Sequence, residues 1–387
     1  MLGLLSALPP LAIDMGLPAI PALESAFHVG IGEATLTLTV FVLGFSLGPI
    51  LFGPLSDRYG RKPVLIAGLG MFSLASLACA FAGQLASLLL LRLLQGVAAG
   101  AAAALPAAIV RDVYTADAAL SRQSYVALVN AVTPLLAPLL GAGLLAFGSW
   151  RLIYACLGVI GLMLLLVCAL GYQETRPRQE NVQSVFHAAI SAYGELLRNK
   201  HYLLHAALVA TSFGTMFAYI TGSSAVFIDV LGMSGAAYGV LFALTAAGTM
   251  TGAAAGARLA RRWDAGRLLA GAVIASSVIC GALLATSLCG VSGVATVAAC
   301  VLLSNVCAGI IMPNATHQAL ATVGHVAGSG SALLRSLQML GGASAGALIG
   351  LFAGNPLSVM AAVMTLYAAL GLFLLWASLP PDCRRCA

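Results

Sequence analysis

The amino-acid sequence predicts an all-α membrane protein in which twelve transmembrane helices form two pseudo-symmetric six-helix bundles. Of its 387 residues, 61% are hydrophobic and only 8% are charged, whereas a soluble domain carries about a quarter charged residues. The apolar runs are continuous rather than alternating, which favours helices over a membrane β-barrel. At about 20 apolar residues per span plus short loops, a chain of this length holds about a dozen helices.

Twelve apolar runs, separated by turn residues and charge clusters, are predicted to be the spans. The first run has no basic segment ahead of it and carries Asp14 among four prolines, so we interpret it as a span and not as a cleaved signal peptide. The predicted spans are 2–22, 34–54, 64–83, 86–109, 122–146, 151–172, 202–228, 236–258, 268–289, 293–315, 327–351 and 357–378.

One long polar segment, residues 173–201, separates the first six runs from the last six. We therefore expect an N-terminal bundle at 1–172, a cytoplasmic linker at 173–201 and a C-terminal bundle with a short tail at 202–387. Two halves of six spans are typical of an internal duplication with pseudo-two-fold symmetry.

The Lys and Arg residues predict the orientation by a separate signal. Of the 18, all but Arg92, Arg151 and Arg335 fall in the even-numbered loops, the linker and the C-terminal tail. Basic residues mark the cytoplasmic side of a membrane protein, so both termini are expected in the cytoplasm. The net charge of +6 then reports topology, and the absence of a basic run with aromatic residues argues against nucleic-acid binding.

The most specific local pattern is the run GPLSDRYGRKP at 53–63, between the second and third spans. Its Gly and Pro are expected to force a tight reversal, and its acid to accept hydrogen bonds from a neighbouring helix N-terminus. The spacing resembles the signature loop of the major facilitator superfamily, and an ordinary positive-inside loop is the alternative. The predicted gating residues are Gly53, Asp57, Arg58, Gly60 and Arg61.

A degenerate copy of this loop follows at 256–267, with Ala260 at the position that corresponds to Asp57. It supports an internal repeat whose second loop lacks the same acid.

Asp14 lies about twelve residues into the first span, near the expected midplane. An ionisable residue at that depth costs roughly 2.5–3.5 kcal/mol on insertion scales and is a functional hypothesis by default. We predict that it carries the coupling proton. The alternative is an Asp that only binds a backbone amide beside a helix broken by proline.

Arg92 of the fourth span is the predicted counterpart of Asp14. Burial favours the neutral acid and a nearby guanidinium favours the carboxylate, so a change in their separation would switch the proton. The alternative is a static ion pair that locks two helices together.

The fifth span carries Pro134, Pro138 and Gly141 within the run NAVTPLLAPLLG at 130–141. Two prolines four residues apart loosen a helix. The run resembles the antiporter motif of drug exporters, with Ala137 and Leu140 in place of two glycines.

Three further short motifs are similar to those of one branch of the superfamily, the bicyclomycin and chloramphenicol resistance branch of drug:proton antiporters. They are Arg111-Asp112, Trp150-Arg151 and Glu174-Thr175-Arg176. The resemblance implies the major facilitator fold and export driven by inward proton flow through alternating access. Ser6 stands where some relatives carry another acid, so the resemblance implies coupling through Asp14 alone.

Polar residues and apolar lining residues inside the spans are the candidates for substrate binding, although a polar residue could instead bridge helices. They are Asp14, Arg92, Asn130, Phe213, Met216, Phe217, Tyr219, Asn305, Arg335 and Gln338. With Asp14 ionised, the two buried arginines leave the membrane interior with a net charge of +1. This favours neutral or weakly anionic substrates, unless Arg335 reaches toward the cytoplasm instead.

The function predicted from these features is proton-coupled export of small hydrophobic molecules by a monomer in the bacterial inner membrane. A proton-coupled importer of the same fold is the alternative. An enzyme is not expected, because the spans show neither a metal-ligand cluster nor a nucleophile with a base. No cofactor or metal is predicted, and the Cys383/Cys386 pair is interpreted as part of a solvated tail.

Overall fold

The computed structural model describes residues 1–114, 116–175, 182–260, 262–352 and 354–378. In these ranges the chain is helical and has no strand. Twelve of its helices, counted over the described residues, are long and apolar enough to cross a membrane, which confirms the predicted fold class. The Cys383/Cys386 pair and Arg176 lie outside the described residues.

The helices of the first half are α1 (Leu2–Asp14), α2 (Ile20–Phe27), α3 (Ile31–Tyr59), α4 (Arg61–Ala80), α5 (Leu85–Val113), α6 (Ala116–Phe147) and α7 (Arg151–Gly171). Those that follow are α8 (Val182–Arg198), α9 (Lys200–Ser224), α10 (Gly235–Leu259), α11 (Ala265–Leu288), α12 (Val294–Ala321), α13 (Ala327–Leu351) and α14 (Pro356–Ser378). A π-helical segment, Ala225–Val230, continues α9.

The first span is interrupted next to its acid. Helix α1 ends at Asp14, a 3-10 turn covers Leu17–Ala19, and α2 begins at Ile20. Pro18 and Pro21 have no N–H for a continuous α-helical ladder, which accounts for a change of helix type here. The span is therefore two helices that meet just beyond Asp14.

The turn between the second and third spans differs from the prediction. Gly53 and Pro54 do not form the reversal, because both lie inside α3. The chain turns at Gly60 alone, where φ is 96°, a backbone conformation that residues with a Cβ rarely adopt. Helix α4 begins at the next residue, Arg61.

Helix α8 was not among the predicted elements. Residues 173–201 lack the long apolar run by which the other helices were recognised, so they were predicted only as a polar linker. The described part of this segment nevertheless contains a 17-residue helix.

The two halves repeat the same helix pairings. In the first half α3 packs on α5, α4 on α5, and α4 on α7; in the second, the corresponding pairs are α10–α12, α11–α12 and α11–α14. Glycines mediate the equivalent α3–α5 and α10–α12 contacts. Gly96 meets the Phe41 carbonyl in the former, and Gly309 meets the Thr249 carbonyl in the latter. The tertiary pairing thus supports an internal repeat.

The chain forms two compact units, Met1–Gly194 with Gly328–Ser336, and Glu195–Ala327 with Leu337–Ala387. The change of unit at residue 194 falls inside the segment that was predicted as a linker.

Candidate proton-coupling site and gate

The Asp14 carboxyl group is buried at the C-terminal end of α1, with 5% of the residue exposed. Among the described residues, no hydrogen bond or ion pair reaches its side chain. A helix C-terminus carries partial negative charge, so the local backbone also disfavours an ionised carboxylate. The site therefore holds an acid that is more easily accommodated with a proton than without one.

Arg92 does not form an ion pair with Asp14 in this structure, so the static pair that was the alternative is not present. The side chain has no exposed surface, and its guanidinium donates to backbone oxygens instead. Nε donates to the Thr37 carbonyl at 3.1 Å, and Nη2 donates to the Ala12 carbonyl at 3.3 Å. Ala12 lies two residues before the end of α1, where carbonyls have no partner within the helix. Arg92 thus caps the helix that ends in Asp14.

The remaining contacts of Arg92 explain how a cation is tolerated inside this bundle. Nη1 donates to Gln95 Oε1 at 2.6 Å, and Gln95 Nε2 donates to Ser76 Oγ at 2.7 Å. The guanidinium carbon lies 4.3 Å from the centroid of the Phe41 ring and 5.5 Å from that of Tyr154. Such cation–π contacts stabilise a desolvated arginine.

Helix α6 approaches the interruption of the first span. A Cβ added at Gly141 would overlap the Met15 carbonyl oxygen and lie 3.1 Å from Met15 Cα. The helix continues through Pro134 and Pro138. Gly141 therefore contacts the backbone beside Asp14.

Arg61 is the centre of an ion-pair cluster at the predicted gating loop between the second and third spans. It is 4% exposed, and its Nη1 pairs with Asp57 Oδ1 at 2.8 Å while Nε pairs with Asp112 Oδ2 at 2.8 Å. Nη1 also donates to Ser56 Oγ at 2.5 Å. A buried arginine with two carboxylates can hold the ends of α3, α4 and α5 together.

Glu174 caps α4 from the far end of the first half. Its Oε1 accepts from the Arg61 backbone N–H and its Oε2 from the Lys62 N–H, both at 2.9 Å. A carboxylate at a helix N-terminus binds otherwise unpaired N–H groups and interacts favourably with the positive end of the helix dipole.

Near this cluster, burial and the Asp57 carboxylate raise the pKa of the Tyr193 side chain in α8.

Asp112 and Glu174 occur in short sequence motifs but were not predicted to belong to the gate. The available signal was their charge, because both are acids among the basic residues that flank the spans. Arg58, which was assigned to the gate, lies with its guanidinium 4.3 Å from the Tyr59 ring.

Several candidates of the second half contact other side chains of the spans. Phe213 and Phe217 stack with centroids 5.8 Å apart, and Tyr219 stacks on Phe242 with its hydroxyl 2.8 Å from Thr245 Oγ1. Gln338 Nε2 lies 3.6 Å from the sulfur of Met312.

Burial differs among the predicted substrate-binding residues. Asn130 and Met216 are half-buried and Arg335 is exposed. Those with less than a tenth of their surface exposed are Asp14, Arg92, Phe213, Phe217, Tyr219, Asn305 and Gln338.

A cavity of about 800 Å³ lies within the first unit, at the ends of α1, α5, α6 and α7. Glu174 and Tyr172 line its rim. Neither Asp14 nor Arg92 lines this cavity, so its position does not mark the buried acid.

The paired halves, the interrupted first span and the capped gate are features of a multi-pass membrane transporter. The sequence model of the Major Facilitator Superfamily matches residues 2–346, and the chain belongs to this family. It is therefore a transporter of small molecules and not an enzyme.

Two relatives and one solved structure show the range of similarity. An uncharacterized MFS-type transporter, YdgK of Bacillus subtilis, is 31% identical over 96% of this chain and 92% of its own. A bicyclomycin resistance protein homolog of Haemophilus influenzae is 28% identical over 62% of this chain and 61% of its own. The crystal structure of a D-xylose-proton symporter shares the fold, with a TM-score of 0.73, 14% identity and coverage of 98% of this chain and 97% of that one.

Proposed function

We propose that this protein exports small hydrophobic molecules from the bacterial cytoplasm in exchange for protons, by alternating access. The observation that carries the proposal is the burial of Asp14 at the end of α1, where no described residue forms a hydrogen bond or ion pair with its side chain. An ionised carboxylate in such a setting costs several kcal/mol, whereas a protonated one does not. A conformational change that exposes Asp14 would release the proton, and the reverse change would require its uptake.

Arg92 provides a way for proton exchange at Asp14 to change the structure around it. Because its guanidinium binds the Ala12 carbonyl, Arg92 of α5 is in direct contact with α1, the helix that carries the acid. We propose that loss of the proton draws the new carboxylate toward this cation, since opposite charges attract strongly in a low-dielectric interior. Movement of the end of α1 would then accompany each proton transfer.

The direction of transport rests on the antiporter-like sequence of α6 and on similarity to a relative named for bicyclomycin resistance. The Lys and Arg distribution supports a bacterial inner-membrane protein with both termini in the cytoplasm, and we propose that it acts as a monomer. We further propose neutral or weakly anionic substrates, because Arg92 and Arg335 outnumber the single acid Asp14 inside the spans.

The test is Asp14→Asn in everted membrane vesicles with a preformed proton gradient. In the wild type, bicyclomycin is expected to dissipate the gradient as protons leave in exchange for the drug. Asn is close to Asp in size but carries no exchangeable acid proton, so the variant should lose this response. A permanent dication should produce little response in the wild type.

Asp229→Asn is the matched control, because Asp229 is an exposed acid at the end of the seventh span and should keep the wild-type response. Uphill, proton-coupled export by Asp14→Asn would contradict the assignment of the proton to Asp14. Proton-driven accumulation of bicyclomycin in right-side-out vesicles would instead support the importer.

A further inference from the structure

Gly141 lies against the backbone at which the first span is interrupted. A Cβ at this position would overlap the Met15 carbonyl oxygen and come within 3.0 Å of its carbonyl carbon. Backbone atoms cannot rotate away as a side chain can. The close approach of α6 to α1 therefore requires glycine at this point.

The interruption is held from two sides. Arg92 of α5 binds the Ala12 carbonyl, and Gly141 of α6 contacts Met15, three residues later. Asp14 lies between these two points of the chain. Its carboxyl position is thus determined by the positions of α5 and α6.

Helix α6 is weakened just before this contact. Pro134 and Pro138 both lie inside the helix, and neither supplies an N–H for the backbone ladder. Two backbone hydrogen bonds, one at each proline, are missing in the turns that lead to Gly141. A helix with such gaps bends more readily there, so α6 is suited to move at its contact with α1.

We propose that Gly141 is a positioning residue that transmits movement of α6 to the Asp14 proton site through the Met15 backbone. The inference rests on the proposed function, in which Asp14 carries the coupling proton. It gives the antiporter-like prolines a physical role, since they soften the helix whose displacement changes the surroundings of the acid.

The test compares Gly141→Ala with Gly143→Ala, because Gly143 lies in the same helix and a Cβ there meets no atom within 4 Å. The readout is the pH dependence of bicyclomycin-driven proton efflux from everted vesicles. Gly141→Ala is expected to move the half-maximal pH by about one unit or more, whereas Gly143→Ala should match the wild type. Drug counterflow, which needs no net proton movement, should change less than coupled exchange.

Equal pH profiles for the two variants, or a loss of rate by Gly141→Ala that is the same at every pH, would overturn the inference. These results differ from a failure of the proposed function, in which Asp14→Asn remains coupled. If Gly141→Ala does not reach the membrane, Pro138→Ala is used, because it restores a backbone hydrogen bond without adding atoms at the contact. It should slow coupled exchange more than counterflow, and an equal slowing of both would also overturn the inference.

Discussion

Arg92 illustrates how one buried side chain can fix several backbone segments. A guanidinium offers five N–H donors in a rigid plane, and here they reach the carbonyls of Thr37 and Ala12 and the amide of Gln95. The two carbonyls belong to different helices, α3 and α1. Arg92 therefore connects the second and fourth spans to the helix that ends at Asp14.

Arg92→Lys is expected to destabilise the protein although it keeps the positive charge. A lysine ammonium is a single point of donation and cannot reach all three oxygens, and each buried carbonyl left unpaired costs about 1–3 kcal/mol. Thermal unfolding of the purified protein in detergent measures the effect. Arg258→Lys is the control, since Arg258 is exposed, and equal stability of the two variants would contradict the capping role.

The burial of Asp14 and Arg92 could be predicted from the sequence, but their hydrogen-bond partners could not. Asp14 and Arg92 were recognised because charges inside apolar runs are conspicuous. The two are not paired in this structure, because Arg92 binds backbone carbonyls, and their joint role in proton coupling stays a prediction. Every residue has a carbonyl, so no sequence pattern marks the ones that Arg92 selects.

At the scale of elements, the two gate helices have different N-terminal caps. Helix α11 is capped locally, where Asp264 Oδ2 accepts from the N–H groups of Gly266 and Arg267. Helix α4 has Glu174 instead, more than a hundred residues along the chain. The second loop therefore differs in two ways: Ala260 replaces the acid found at Asp57, and the cap of α11 comes from a neighbouring residue and does not connect distant parts of the chain.

Glu174→Ala is expected to fray the first turn of α4. A lost N-terminal cap costs about 0.5–2 kcal/mol, so amide hydrogens near Arg61 should exchange roughly 2- to 30-fold faster. Hydrogen–deuterium exchange with mass spectrometry measures this directly. Gln173→Ala, at the exposed neighbouring position, should leave exchange unchanged, and protection of α4 equal in the two variants would show that Glu174 is not its cap.

The positions of the helices could be predicted from the sequence where the helices are long and apolar. Eleven of the predicted spans begin within a few residues of the first residue of a helix, because a long hydrophobic run determines a membrane helix. The fifth differs, since α6 begins at Ala116 and not near 122. Helix α8 was missed because it has no such run, and the reversal at Gly60 was misplaced because Pro54 resembles a turn residue although it lies inside α3.

At the scale of the whole molecule, the orientation of the spans follows from the basic loops. An impermeant maleimide should label a cysteine introduced at Gln173 only in everted vesicles, and one introduced at Ser149 only in right-side-out vesicles, in a background without the native cysteines. Positive residues retain their loops on the cytoplasmic side. Labelling of both positions from the same side would refute the twelve-span arrangement, and a reversed pattern would refute the orientation.

The cap on α4 also has a consequence for biosynthesis. Glu174 and the Arg61 N–H that it binds are 113 residues apart, and at 5–20 residues per second the ribosome needs roughly 6–23 s to bridge that interval. During this time α4 is already made but lacks its cap. The cap on α4 can therefore form only after the sixth span has been made, so the first six helices should mature together and a nascent chain that stops before residue 174 should remain loosely assembled.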